Sequence, residues 1–353
     1  MKTQDTGGPL AGLKVIEMVG LGPGPFAGML LADMGAEVVA VDRPGGVSIT
    51  LSHDINRRGK RSVELDLKSR AGKAAVLDLV SGADVLIEGN RPGVMERLGL
   101  GPEDCWKINP RLVYGRMTGW GQDGPLAQAA GHDLNYIALA GALHPMGPPD
   151  GPPPVPLNLV GDYGGGAMFL AFGVMAAVYE AQKSGKGQVV DAAMVDGASL
   201  LMSFFHSLRA SGWWVDRRGD NFLDGAAHFY GCYACADGKF VSVGAIELPF
   251  MRVLVERAGL PREWLDLHMD RAEWPRLKAE LAALFATRPQ AEWCDLLEGS
   301  DACFAPVLPF WEAAEHPHAK ARGAFITRDG VVEPAPAPRF SRSRPPLAES
   351  GDA

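Results

Sequence analysis

The sequence predicts an α/β fold: a large Rossmann-like domain followed by a smaller α+β domain. Three observations predict it. Short β-rich apolar runs alternate with helical patterns over the first two hundred residues. A glycine turn breaks the first such run from the first helix, as in a βαβ unit. Near residue 228 the pattern changes to two short strands about a tight turn, with helices after them. A chain of 353 residues has length for about two cores. The expected boundaries are 1–200 with 328–353 for the large domain, a linker helix over 201–227, and 228–327 for the small domain.

In order, residues 13–19 (LKVIEMV) form the first strand, residues 20–25 (GLGPGP) the turn, residues 26–34 a helix and residues 36–41 (AEVVAV) the second strand. Residues 71–79 are helical, residues 84–87 (DVLI) a strand, residues 95–98 a short helix and residues 112–116 (LVYGR) a further strand. Residues 151–156 (GPPPVP), with four prolines, make a stiff connection. A long apolar helix spans 164–182, and GKGQVVDAAMVDGASLL from Gly185 reads as a strand running into another helix. Residues 228–243 pair as two antiparallel strands about the turn 236–239. Helices follow at 248–258, 272–286 and 290–297, with Trp274 and Trp293 as core anchors. The proline-rich tail from Val332 is extended.

Composition excludes several classes. Apolar residues make up 47% and charged residues 22%, a globular balance. A net charge of −8 argues against a nucleic-acid partner. Five cysteines are too few and too odd in number for a disulfide framework, which points to a reducing, cytoplasmic setting. Cys232 and Cys235 form a lone C-x-x-C without the second pair a zinc site needs, so no metal is expected. The first dozen residues hold no apolar signal core, and the apolar run 167–179 falls short of the roughly 20 residues of a membrane span.

Several residues could carry chemistry. The turn at 20–24 sits where a dinucleotide turn would, and Asp42 could supply the ribose-binding acid. The third glycine of that fingerprint is missing, however, and a tight strand-to-helix turn is the preferred reading. Arg57, Arg58, Lys60, Arg61, Lys68, Arg70 and Lys73 place seven cations in seventeen residues, either a solvated face or a phosphate site that Arg43 and Arg91 could join from strand ends. Residues 130–144 (AGHDLNYIALAGALH) read as a helix whose first turn opens with Gly131, His132 and Asp133, where free N–H groups and the helix dipole favour negative charge. An imidazole there can act as a base beside an oxyanion site. Asp162, followed by three glycines, is either a simple helix cap or a site residue. The glycines favour a site, because they let backbone approach a ligand. Glu247 follows a strand and precedes a helix. Among 13 methionines, Met168, Met175, Met194 and Met202 could form core or an adaptable acyl surface.

Together these stretches resemble the α-methylacyl-CoA racemases of the class III CoA-transferase superfamily. The resemblance rests on residues 12–45 (GLKVIEMVGLGPGPFAGMLLADMGAEVVAVDRPG), 59–69 (GKRSVELDLKS), 91–105 (RPGVMERLGLGPEDC), 130–141 (AGHDLNYIALAG), 161–166 (GDYGGG), 184–197 (SGKGQVVDAAMVDG) and 236–247 (ADGKFVSVGAIE). DACFAPVL and ARGAFIT extend it over nearly the whole chain. The resemblance implies inversion at the α-carbon of a 2-methylacyl-CoA, with no metal and no cofactor beyond the CoA of the substrate. His132 and Asp162 are then the two acid/base residues and Glu247 the partner of the histidine. The Asp133 N–H, with Gly131 beside it, would hold the thioester oxygen. Arg43, Leu65, Asp66, Leu67, Lys68, Arg91, Leu134, Asn135 and Tyr136 would line the CoA site. The resemblance also implies an interlocked homodimer in which Glu247 faces His132 of the other chain.

Racemisation needs one base on each face of the α-carbon, with similar basicity, and a donor for the enolate oxygen. His132 and Asp162 suit this if Asp162 is partly desolvated. Two alternatives share the chemistry in part. In a class III CoA-transferase the aspartate at this position is a nucleophile that forms an acyl anhydride and then a CoA thioester. Such an enzyme needs no opposing base. A non-catalytic acyl-CoA binder would keep the cations without the opposed His and Asp.

Overall fold

The computed structural model describes residues 7–46 and 51–343. The chain divides into two compact units. The first comprises Met1–Ala142, Val155–Ser203 and Gly323–Ala353, the second Leu143–Pro154 and Phe204–Arg322.

In the first unit six strands form one parallel sheet: β1 (Lys14–Met18), β2 (Glu37–Asp42), β3 (Lys60–Glu64), β4 (Val85–Glu88), β5 (Val113–Thr118) and β6 (Val189–Ala193). Their order, β3-β2-β1-β4-β5-β6, is the doubly wound order that the alternation of runs and helices implies. The middle strands are covered on both faces, so they read as mainly apolar runs that also bury Glu17, Glu88 and Arg116; all four residues of β4 are buried. The order reverses between β1 and β4, and such a switch point opens a crevice at the carboxyl ends of the strands. β3 has no apolar signature (KRSVE) and was not expected from the sequence.

The basic cluster is corrected in part. Arg57 pairs with Asp42 at 2.5 Å, Arg58 with Asp33 at 2.5 Å and Glu333 at 3.1 Å, and Lys60 with Glu17 at 2.5 Å. Three of the seven cations are therefore neutralised within the fold. Arg58 and Glu333 also draw the C-terminal hairpin, β10 (Phe325–Arg328) with β11 (Val331–Pro334), onto the helix Pro23–Asp33. That is why the chain from Gly323 belongs with the first unit, five residues before the expected return at 328.

The apolar helix begins earlier than expected. Leu159–Ala167 is π-helical and continues as the α-helix Met168–Ser184. Asp162 therefore lies inside a helical segment and is not its cap. The glycines beside it answer to packing. A Cβ on Gly165 would stand 2.6 Å from the Ala198 nitrogen, and one on Gly197 would stand 1.8 Å from the Gly165 carbonyl oxygen. The helix Met194–Leu201 thus meets the π-helical segment backbone to backbone. Leu159–Ser184 is also long and apolar enough to cross a membrane by length and composition, with 44% of its most apolar window buried. Leu170, Val174, Ala177, Val178 and Ala181 bury its inner side in the sheet's core.

In the second unit β7 (Tyr230–Ala234), β8 (Phe240–Gly244) and β9 (Phe304–Val307) form an antiparallel sheet with β8 central. The helices Leu248–Ala258, Trp274–Phe285 and Gln290–Leu297 supply its core with Trp274 and Trp293, both buried, alongside Phe229, Trp264 and Phe285. The expected linker helix over 201–227 is corrected: only Ser203–Ala210 is helical there beyond the end of the preceding helix. The Arg218 guanidinium donates to the carbonyls of Pro148 at 2.6 Å and of Gly151, holding the proline-rich loop within this unit.

Candidate active site

At the switch point a cavity of about 690 Å³ opens in the first unit. Its floor is the end of β1 and the turn after it, from Glu17 to Gly22, with Gly89 and Asn90 beyond β4. A second cavity of about 320 Å³ shares Gly20, Gly89, Gly131, His132 and Tyr136 with it and is lined by Arg91. Its other walls include Trp120 and Met117.

Each wall has a local cause. Gly22 has φ 72°, a left-handed conformation, and a Cβ there would stand 3.2 Å from Asp162 Oδ2. The turn thus lets backbone pass beside a carboxylate, and Pro23 starts the next helix. Gly28 is required by the buried Glu17–Lys60 pair, since a Cβ would lie 2.0 Å from Glu17 Oε2. Lys60 Nζ also donates to the Pro25 carbonyl at 2.7 Å, pinning the first turn of that helix. Tyr136 is wedged between Gly119 and Gly131, edge-on to Trp120 with ring centroids 4.8 Å apart.

His132 stands at the start of the helix Asp133–Leu139, exposed, and its backbone N–H donates to Asn135 Oδ1 at 3.1 Å. Asp162 faces the same cavity and accepts from Asn158 Nδ2 at 3.1 Å. Burial raises its carboxyl above the ordinary aspartate range. The Asn158 hydrogen bond lowers it, the Asp133 carboxylate raises it, and His132 lowers it. The carboxyl is thus partly desolvated and lies within the electrostatic reach of the His132 imidazole.

The structure brings together His132, Asp162, Gly131, Tyr136 and Arg43 around the larger cavity, with Arg91 in the adjoining one. Arg43 also donates to the Gly46 carbonyl at 2.6 Å. Leu65, Asp66, Leu67 and Lys68 follow the carboxyl end of β3 but line neither cavity. Leu65 and Leu67 pack on the sheet's core, and Asp66 accepts the Lys68 N–H at 2.9 Å. Leu134 and Asn135 are exposed on the helix and line neither cavity. Glu247 belongs to the second unit, where it precedes the helix Leu248–Ala258. Of the four methionines, Met194 reaches both cavities, whereas Met168 is 52% exposed on the long helix. Two features escaped sequence reasoning: Asn158, an amide one helical turn before Asp162, and the close approach of Gly22, within the turn read at 20–24, to the Asp162 carboxylate. The spacing of Asn158 from Asp162 was the signal available for the first.

Residues 10–348 match the family described as CoA-transferase family III. The chain is 46% identical over 341 residues to α-methylacyl-CoA racemase of Mus musculus, covering 97% of this chain and 88% of the relative. It is also 46% identical over 332 residues to the racemase of the same name from Homo sapiens, covering 93% and 86%. Among solved structures it is similar to a CAIB/BAIF family protein from Brucella suis, with a TM-score of 0.79, 27% identity and 96% of each chain covered. The chain belongs to CoA-transferase family III.

Proposed function

We propose that this chain is an α-methylacyl-CoA racemase that interconverts (2R)- and (2S)-2-methylacyl-CoA thioesters through an enolate. The observation that carries the reading is the pairing of His132 with a partly desolvated Asp162 in one cavity at the switch point. One group removes the α-proton and the other returns a proton to the opposite face, so each must be able to hold or release it near neutral pH. The free N–H at Asp133, beside Gly131, is the donor for the enolate oxygen. Each unit by which that donor acidifies the α-carbon stabilises the enolate by about 1.4 kcal/mol. Arg43 and Arg91 meet the phosphates of CoA, and the reaction uses no group beyond the CoA of its substrate.

The working form in this proposal is a homodimer whose second unit brings Glu247 to His132 of the other copy. An apolar stripe on the long helix supports an association surface: Met168, Phe172 and Tyr179 are exposed at helical spacing, Phe172 to 77%. A cytoplasmic location is part of the same proposal. The transferase reading uses Asp162 as nucleophile but gives His132 no task, and a binder gives neither residue one.

The test is incubation with a single epimer of a 2-methylacyl-CoA, alone and with a carboxylic acid acceptor, with chiral separation of the products. Growth of the opposite epimer, with or without acceptor, is the expected result. Movement of CoA to the acceptor with the epimer unchanged would overturn it.

A further inference from the structure

Asp133 is 4% exposed and has its carboxylate turned inward, away from the role its backbone N–H holds at the helix start. Its Oδ2 accepts the N–H of Gly161 at 2.6 Å and that of Asp162 at 2.7 Å. Those amides open the π-helical segment Leu159–Ala167 and have no acceptor within it. A local cap would come from Asn158, but the Asn158 amide is turned onto the Asp162 carboxylate. The capping acceptor therefore comes from another helix, 28 residues earlier in the chain. Residue 161 has to be glycine for this, since a Cβ would lie 2.7 Å from Asp133 Oδ2. The consequence is mechanical. The peptide that carries His132 continues into the side chain that holds the peptide of Asp162.

We propose that Asp133 is a positioning residue that fixes the Asp162 carboxylate on its face of the substrate by clamping the amides of residues 161 and 162. Its negative charge has a second effect. It opposes ionisation of Asp162 and so keeps that carboxyl closer to the basicity of an imidazole. The other groups about Asp162 are His132, Asn158 and Tyr136. Arg43 and Asp54 share the cavity, and so do Arg57 and Lys60, which are paired with Asp42 and Glu17.

The inference rests on the two-base reading, and the experiment separates the two. Full-length wild type, Asp133→Ala, Asp133→Asn and Asp162→Asn are incubated in D₂O with (2R)- and (2S)-2-methyldecanoyl-CoA in turn. Proton NMR gives α-proton exchange and chiral separation gives inversion. Asp162→Asn should lose inversion and keep exchange from one epimer only. If it does not, the two-base reading falls. Given that asymmetry, Asp133→Ala should reproduce it, with inversion down about 100-fold and exchange from that same epimer down less than tenfold. Asp133→Asn retains an acceptor oxygen but no charge, so its inversion should persist while the acid limb of its pH profile moves to lower pH. Parallel loss of exchange and inversion from both epimers in Asp133→Ala, or an unmoved acid limb in Asp133→Asn, would overturn the proposal. If Asp133→Ala does not fold, Gly161→Ala, whose methyl would stand 2.7 Å from Asp133 Oδ2, is read in its place for the same asymmetry between exchange and inversion.

Discussion

His132 in the first unit stands exposed at a helix start, in a cavity with a carboxylate and two arginines close by. His228 in the second unit is sealed among Phe229, Trp264 and His268, fully buried, with neither ring nitrogen partnered. Burial drives the His228 imidazole down to about 3, so it is a neutral aromatic filler. The carboxylates make the same contrast. Asp162 is raised by burial and accepts from the Asn158 amide, whereas Glu17, on the floor of the same cavity, is 1% exposed and paired with Lys60. The comparison teaches that a titratable side chain becomes chemistry where backbone is brought close around an opening, which is the work of glycine here. Where aromatic rings fill the space, the same side chain is only packing.

The largest expected effect breaks the first region at its chemistry. Asp162→Asn should lower inversion by about 10³-fold, within the range for loss of one general acid–base group, and leave the fold intact. Steady-state rates with thermal unfolding as a control check both halves.

Next is the buried pair beneath the cavity. Lys60→Met leaves the Glu17 carboxyl, 1% exposed, with no paired cation. A destabilisation of about 3–5 kcal/mol is expected from urea unfolding at pH 8. Protonation of Glu17, already raised by burial, should shrink that loss as pH falls.

A smaller effect is expected where two backbones touch. Gly165→Ala forces a methyl to 2.6 Å from the Ala198 nitrogen and should cost about 1–3 kcal/mol, because helix backbone yields less readily than a side chain. Glycines such as Gly99 or Gly259 have open space at the Cβ position, so packing distinguishes Gly165 from them.

The smallest effect sharpens the comparison from the second unit. The His228 imidazole is depressed in the fold from 6.5 to about 3. Its contribution to stability is therefore present above about pH 6.5 and is lost as pH falls from there toward 3. His228→Leu should flatten that part of the stability curve and leave activity at pH 8 unchanged.

Much of the first unit was legible because strands covered on both faces are mainly apolar runs, as in β1, β2 and β4. β3 was not, because it opens on a charge, Lys60, that is buried only through its pairing with Glu17, a residue distant in sequence. His132 and Asp133 could be read as residues set at a helix start, whereas Asp162 lies inside its helical segment. The purpose of the glycines after Asp162 could not be read, because Gly165 answers to Gly197, thirty-two positions away. The same limit hid the Asp133 carboxylate, whose partners are amides of a segment the sequence places beyond a proline-rich loop. Local pattern shows which residues are poised, and only the closed chain shows what they hold.

The central claim is that His132 and Asp162 work on opposite faces of one α-carbon. The most direct measurement is deuterium exchange from each epimer of a 2-methylacyl-CoA in D₂O, with His132→Ala and Asp162→Asn compared. The account expects each variant to lose exchange from a different epimer and both to lose inversion. Loss of exchange from the same epimer in both variants, or inversion surviving in either, would contradict it.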